Sequence, residues 1–228
     1  MAEWRLFSRW TPQALKTRLE RLSGVDRNFD AAEEEMSGEQ GWHHYHSEAL
    51  IALEPDDDAG FARARVALAS YQFSDPDIVV AHFDPATPLL MRKLLLEIKV
   101  VGLHYLCPAQ VYRVRDEPGV YGFRYDTLEG HIERGVEWFL LTKNEQGEIR
   151  FRIEARWKRG QLPNWWSRLG FILLSGYYQR RWHRCAHRRM SLFAHFGSTA
   201  PPPADWTGLT HQGRDVTFTY HTKRKFFA

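Results

Sequence analysis

The stretch YDTLEGHIERGVEWFLL, Tyr125 to Leu141, sets His131 among the carboxylates of Glu129, Glu133 and Glu137, with Arg134 between them. A histidine beside carboxylates is the usual apparatus of proton transfer. His131 with Glu133 or Glu137 is therefore the candidate acid–base pair. The alternative is structural, because LEGH lies between two runs that read as strand. Arg134 and Glu133 would then pair with each other or with a neighbouring strand, and His131 would satisfy backbone groups of the turn. Strand parity bears on the choice. If Val136, Trp138 and Leu140 face the core, Glu137 points away; if Phe139 and Leu141 do, Glu137 is carried inside. A buried Glu137 needs a partner such as Arg134 or Arg113.

Three other groups have chemical potential. WHHYH holds His43, His44 and His46, but on a strand only His44 and His46 share a face, and no Cys or Asp stands at ligand spacing. No metal site is expected. QRRWHRCAHRR places Arg180, Arg184 and Arg188 at helical spacing, with His183 and His187 among them. That stripe would suit phosphates, or else form a solvated face near a helix C-terminus, where cations are favoured. The aromatics Tyr105, Tyr112, Tyr121, Phe123, Tyr125, Trp138, Phe151 and Trp157 are core material, yet several inward tyrosine hydroxyls need partners. A cavity walled by such residues suits a small molecule. The candidate ligand-binding set is Tyr112, Tyr121, Phe123, Tyr125, Thr127, Arg134, Trp138 and Phe151. No glycine-rich phosphate loop or nucleophile elbow occurs, so no cofactor is indicated.

The elements that must position these residues follow from periodicity. Thr11 caps a helix from Pro12 to about Leu22, with leucines at 15, 19 and 22. DAAEEEMSGEQG reads as a solvated acidic loop. Tyr45, Ser47, Ala49, Ile51 and Leu53 alternate as one strand face. PDDD then caps a helix whose face holds Phe61, Ala64, Leu68 and Tyr71. DIVVAHF is a short strand. Thr87 to Glu97 is leucine-rich and helical by propensity, with a strand from Ile98 to Leu106; a long strand or ordered loop through Leu89 to Ile98 also fits. A meander follows: AQVYRVRDE, VYGFRYDT, GVEWFLLTK and IRFRIEARW, with turns at EPG and NEQGE. The last of these alternates most cleanly. A helix of about 30 residues then runs to about Phe193, with Phe171, Leu174, Tyr178, Cys185 and Leu192 on one stripe. DVTFTYHTKRKFF ends the chain as a strand with a basic tail.

Antiparallel strands with one buried face need a cover, and the long helix supplies it. The expected fold class is α+β: a helix-grip arrangement, in which a curved antiparallel sheet packs on a long C-terminal helix. The chain of 228 residues is 43% hydrophobic and 14% aromatic, ample for a core. A net charge of +3 and a pI near 8.9 are too mild to imply nucleic acid, which is not an expected partner. Cys107 and Cys185 are expected as reduced thiols. The longest apolar runs, such as FILLSGYY, are too short to span a bilayer, and no leader opens the chain, so a soluble cytoplasmic protein is expected.

The opening stretch resembles an uncharacterised family, domain of unknown function 1990. Tyr125, Thr127, Leu128, Gly130, His131, Glu133, Arg134, Gly135, Glu137 and Phe139 match its motif, whereas Asp126, Glu129 and Val136 depart from it. The similarity runs from about Gly41 to Phe193, through GLHYLCPAQVYRVRDEPGVYGF and into the arginine-rich helix. It implies a START-like helix-grip fold and brings no established activity. It also suggests an organisation of an N-terminal helix and acidic loop over residues 1–40, the helix-grip domain over 41–196, and a proline-rich linker with a basic tail over 197–228. The leading functional expectation is a binding module for a largely apolar, amphipathic or lipid-like small molecule held between sheet and helix. The alternatives are a hydrolase- or cyclase-type enzyme using His131 with Glu133 or Glu137, and an interaction protein that meets phosphates through its arginine-rich helix.

Overall fold

In IRFRIEARW, Ile149, Phe151, Ile153, Ala155 and Trp157 are buried, and the charged residues between them are half-buried. A computed structural model, describing residues 3–36, 41–54, 58–201, 203–204 and 216–221, places this run in a nine-stranded antiparallel sheet. The strands are β1 (Glu3–Leu6), β2 (His43–Leu53), β3 (Val79–His82), β4 (Lys93–Val100), β5 (Leu103–Glu117), β6 (Val120–Thr127), β7 (Glu133–Lys143), β8 (Glu148–Arg159) and β9 (Thr217–Tyr220). Their order is β3-β4-β5-β6-β7-β8-β2-β9, and β1 pairs with the N-terminal end of β5, just beyond where β6 stops. The helices are α1 (Pro12–Arg21), α2 (Ala59–Ala69) and α3 (Trp165–Phe196).

Bulges at Leu50/Ala52 in β2 and Val111/Arg113 in β5 bend the sheet. Its inner face is covered by α2 and by α3, whose 32 residues span about 48 Å. Phe73, in the turn after α2, sits among Phe139 (4.8 Å between centroids), Phe151 and Trp182 of α3. The Trp182 indole donates to Ser74 Oγ at 2.9 Å, which satisfies its buried N–H. The fold is the helix-grip arrangement expected, with Phe151 and Ile153 beneath the long helix.

Several local expectations change. Thr87 to Glu97 is not helical: a turn leads into β4, and the hairpin at Val101 and Gly102 splits the expected Ile98–Leu106 strand in two. The cause is burial on both faces. Leu94 and Leu96 enter the main core while Leu95 is buried on the side of α1, so no alternation marks the strand. The bulge in β2 buries Ala52 and turns Leu53 out to solvent. Of PDDD, residues 55–57 lie outside the described residues; Asp58 makes no side-chain cap, and the Glu54 carboxylate accepts the Gly60 N–H instead. The Phe171 side chain and the basic tail from residue 222 also lie outside the described residues.

The acidic loop is only partly solvated. Glu33 accepts from Arg124 (2.6 Å) and from the Trp138 indole (3.1 Å) on the outer face of the sheet, and Met36 packs beside it with Phe29 and Trp42. A carboxylate among outward-facing cations is held there by charge, which hydrophobic periodicity does not report.

Thr11 caps α1 as expected, its hydroxyl accepting the Ala14 N–H at 3.2 Å. Thr11→Ala is expected to cost about 1 kcal/mol, read as a lower urea midpoint at unchanged m-value. An unchanged midpoint would mean that water replaces the cap without loss.

Candidate ligand-binding cavity

The loop joining β6 to β7 is built backbone to backbone. Leu128 N–H bonds Pro108 O, His131 N–H closes a turn on Leu128 O, and Gly130 takes φ 96°, which glycine adopts freely. Gly135 follows at φ 145°, with the Arg156 carbonyl only 2.0 Å from where a Cβ would stand, so only glycine fits. Its N–H donates to Thr127 Oγ at 2.8 Å. Beyond it Phe139 and Leu141 point inward, and the same parity carries Glu137 inside.

Glu137 lies directly across from Tyr125 in the β6–β7 register, and the Tyr125 phenol donates to its carboxylate. Neither Arg134 nor Arg113 reaches it: Arg134 is exposed, and Arg113 is on the outer face beside Glu33. Burial raises Glu137 to about 8; the Tyr125 hydrogen bond pulls against that, and the nearby Glu133 charge adds to it. Glu137 is thus a protonated acid at neutral pH. His131 is buried, and burial lowers it to about 4 against a backbone bond with Glu133 that raises it. The Glu133 N–H reaches His131 Nδ1 at 2.9 Å. Nδ1 also lies 3.1 Å from the Glu133 carbonyl, so the Glu133 backbone engages Nδ1 through both its N–H and its C=O, and the other ring nitrogen is Nε2. That Nε2 is buried with no hydrogen-bond partner among the described residues.

These groups line a cavity of about 260 Å³ between the sheet and the N-terminal half of α3. Trp166, Gly170, Leu174 and Tyr178 form its helix wall; Leu96, Ile98 and Tyr105 form part of its sheet wall. Of the candidate residues, Tyr125, Thr127, His131, Glu133 and Glu137 meet there. Tyr121, Phe123 and Phe151 are buried in the core without lining it. Tyr112, Arg134 and Trp138 are placed elsewhere: Arg27 lies over the Tyr112 ring at 5.5 Å, and Trp138 bonds Glu33.

Sequence reasoning missed a second polar group on the wall: Tyr45, Gln179 and His183. His183 and His187 do not join the basic stripe. They turn inward, where Ser47 Oγ lies 2.6 Å from His183 Nδ1 and 2.8 Å from His187 Nε2. One serine hydroxyl donates to one ring and accepts from the other. Burial lowers His183 to about 3; burial, then the neighbouring His183, sets His187 well below its ordinary value. The spacing of 179, 183 and 187 was the available signal, masked by the arginines interleaved with it.

On the sheet edge His44 bonds Glu154 at 2.9 Å and His46 faces His221 at 3.1 Å. Among the described residues no group of three or more His, Cys, Asp or Glu has a metal-holding arrangement, and no helix is long and apolar enough to cross a membrane. Cys107 and Cys185 are free thiols, pushed by burial to about 12 and about 11. Thiols this basic are poor nucleophiles.

The sequence model described as Domain of unknown function (DUF1990) matches residues 28–189. A UPF0548 protein of Deinococcus radiodurans is 32% identical over 116 residues, which is 46% of this chain and 58% of that protein's length. Among solved structures, the chain is similar to Ara h 8.0201 at 12% identity (TM-score 0.43), over 68% of this chain and 99% of that one. It is also similar to the di-domain ARO/CYC StfQ from the steffimycin biosynthetic pathway at 11% identity (TM-score 0.46), over 68% of this chain and 51% of that one. Likenesses this distant carry nothing about function.

Proposed function

The chain belongs to the DUF1990 family, and we propose that it binds a small, largely apolar molecule, lipid-like in character, with one hydrogen-bond-accepting end. The observation that carries this is the cavity itself, apolar along α3 and β4 and fitted at one end with a neutral acid, Glu137. The pairing suits a ligand whose apolar body lies along the helix while a carbonyl or similar oxygen meets the donors. Such division of labour, with many apolar contacts and a few placed polar groups, is usual for small-molecule sites.

Nile red tests the reading. Saturable binding of one dye per chain is expected, and Leu174→Trp, which puts an indole into the space, should weaken it by at least about tenfold, the scale of a lost apolar contact. The thermal midpoint should change little. Absence of saturable binding, or binding indifferent to Leu174→Trp, would sink the proposal.

A second reading is proton-transfer catalysis on the bound molecule. It is favoured by one observation: an acid at about 8 holds and releases a proton near neutral pH. Glu137 then is the general acid, and His131, neutral near pH 7, lines the same cavity, held by the Glu133 backbone.

A further inference from the structure

WWSRLGFILLSGYY, which opens α3, is apolar on nearly every side. Its inward residues line the cavity. Its outward ones, Trp165, Leu169, Leu173 and Tyr177, recur every fourth residue and are 75, 50, 68 and 58% exposed. A helix apolar all round is ordinarily covered all round. Across the cavity mouth stands the β4–β5 hairpin, where Val101 is 64% exposed while also lining the cavity. Phe7, 81% exposed, is tied beside it by its N–H to Gly102 O at 2.7 Å. Val101 and Phe7 both have left-handed backbones, at φ 48° and 53°. A β-branched and a bulky residue are costly there, so the fold spends stability to hold two apolar side chains out at the rim.

The same helix face continues into cations. Arg181 follows Tyr177 by one more turn, and Arg184 and Arg188 are exposed beyond it; among the described residues no carboxylate pairs with any of the three. Scattered exposed apolar side chains need no explanation, but a stripe joined to a cavity mouth does. We infer that this surface docks on an anionic phospholipid bilayer, with the apolar stripe and the Phe7–Val101 rim in the interface and the arginines on the headgroups. Tryptophan and tyrosine favour that boundary, and anionic headgroups supply the charge the arginines lack. A second copy of the chain fits less well. An isologous contact would set the arginines against each other or against the partner's apolar stripe, and the nearby carboxylate of Asp75 is half-buried against Cys185 of its own chain. The inference rests on the binding proposal only in giving the mouth its use: it faces the phase from which a lipid-like ligand would enter.

The test is flotation with phosphatidylcholine–phosphatidylserine vesicles, against phosphatidylcholine alone, at low and physiological salt. Binding to the mixed vesicles is expected, falling with salt. The triple change Arg181→Gln, Arg184→Gln, Arg188→Gln should weaken it by about a hundredfold. The double change Leu169→Glu, Leu173→Glu should abolish it, with Nile red binding and the melting temperature retained in both variants. Absence of binding to the mixed vesicles overturns the inference, as does binding that survives the leucine changes, which would mark simple charge attraction. A dimer by light scattering that Leu169→Glu, Leu173→Glu dissociates would assign the stripe to a second copy and also overturn it. Loss of Nile red binding by the unmodified protein would overturn the cavity reading instead and leave vesicle binding to stand or fall separately.

Discussion

Between about pH 6.5 and about pH 4.5 the protein is expected to lose about 5 kcal/mol of stability, a third or more of what a folded domain ordinarily holds. The cause is three buried histidines, His131 at about 4, His183 at about 3 and His187 well below its ordinary value. In the unfolded chain each takes a proton near 6.5, the ordinary histidine value. Folded, each stays neutral. The unfolded state therefore binds more protons below that point, and stability is lost as pH falls, by about 1.4 kcal/mol per unit for each histidine. Glu137 works the other way. Its folded value near 8 lies above the ordinary 4.5, so acid relieves it, offsetting one proton of the three. Two protons' worth of slope remain, about 2.7 kcal/mol per pH unit. Urea midpoints at several pH values measure this directly. A midpoint constant from pH 7 to pH 5 would mean that His183 and His187 are not neutral in the core.

Glu137→Gln is expected to stabilise the protein by about 1–3 kcal/mol at pH 7. Between 4.5 and 8 the folded state keeps a proton on Glu137 that the unfolded chain has released, so the native side chain costs stability that grows with pH through that window. Glutamine is neutral throughout and still accepts the Tyr125 hydroxyl. The gain should vanish near pH 4. Nile red binding by the native protein should weaken as pH passes 8 and a charge appears in the apolar space, while the glutamine variant should bind evenly across that range. A residue that costs stability where it stands is a mark of use rather than of packing. Lower stability of Glu137→Gln at neutral pH would show the carboxyl to be ionised and satisfied, and the neutral-acid reading would fail.

What was legible in the sequence followed from how many faces of each element are buried. β8 has one, so its alternation names both the strand and its inner face. Parity in β7 framed the right question about Glu137, and Phe139 answers it. Its partner was not legible, because a phenol on the facing strand is a matter of register, whereas the obvious candidates were the arginines. β4 is covered on both sides, and alternation disappears at Leu94 to Leu96. α3 hid its histidines for a related reason: His183 and His187 lie one position from Trp182 and Ala186 on the buried side, and arginines occupy the positions between. The cavity, formed where the β4–β5 hairpin, the β6–β7 loop and the front of α3 meet, has no periodic signature at all.

The two halves of α3 are fastened very differently. From Trp182 onward the helix is bolted down: the indole to Ser74, His183 and His187 to Ser47, Arg189 to the Gln72 carbonyl, Ser191 to the Ile51 carbonyl, and the Ala194 carbonyl to Arg63. Ahead of Trp182 the inward side chains of Trp166, Leu174 and Tyr178 line the cavity, Tyr178 at the edge of the core and Trp166 against Trp4. The helix is in effect a cantilever, with its fulcrum near Trp182 and its free arm forming the roof of the cavity. That arm has fewer ties than the rest of the helix: Gln179 to the Tyr45 hydroxyl, Tyr178 against the edge of the core, and Trp166 against Trp4. The cavity of about 260 Å³ thus lies under the more lightly tied half of the helix, and Phe73 and Ser47 lie under the firmly tied half.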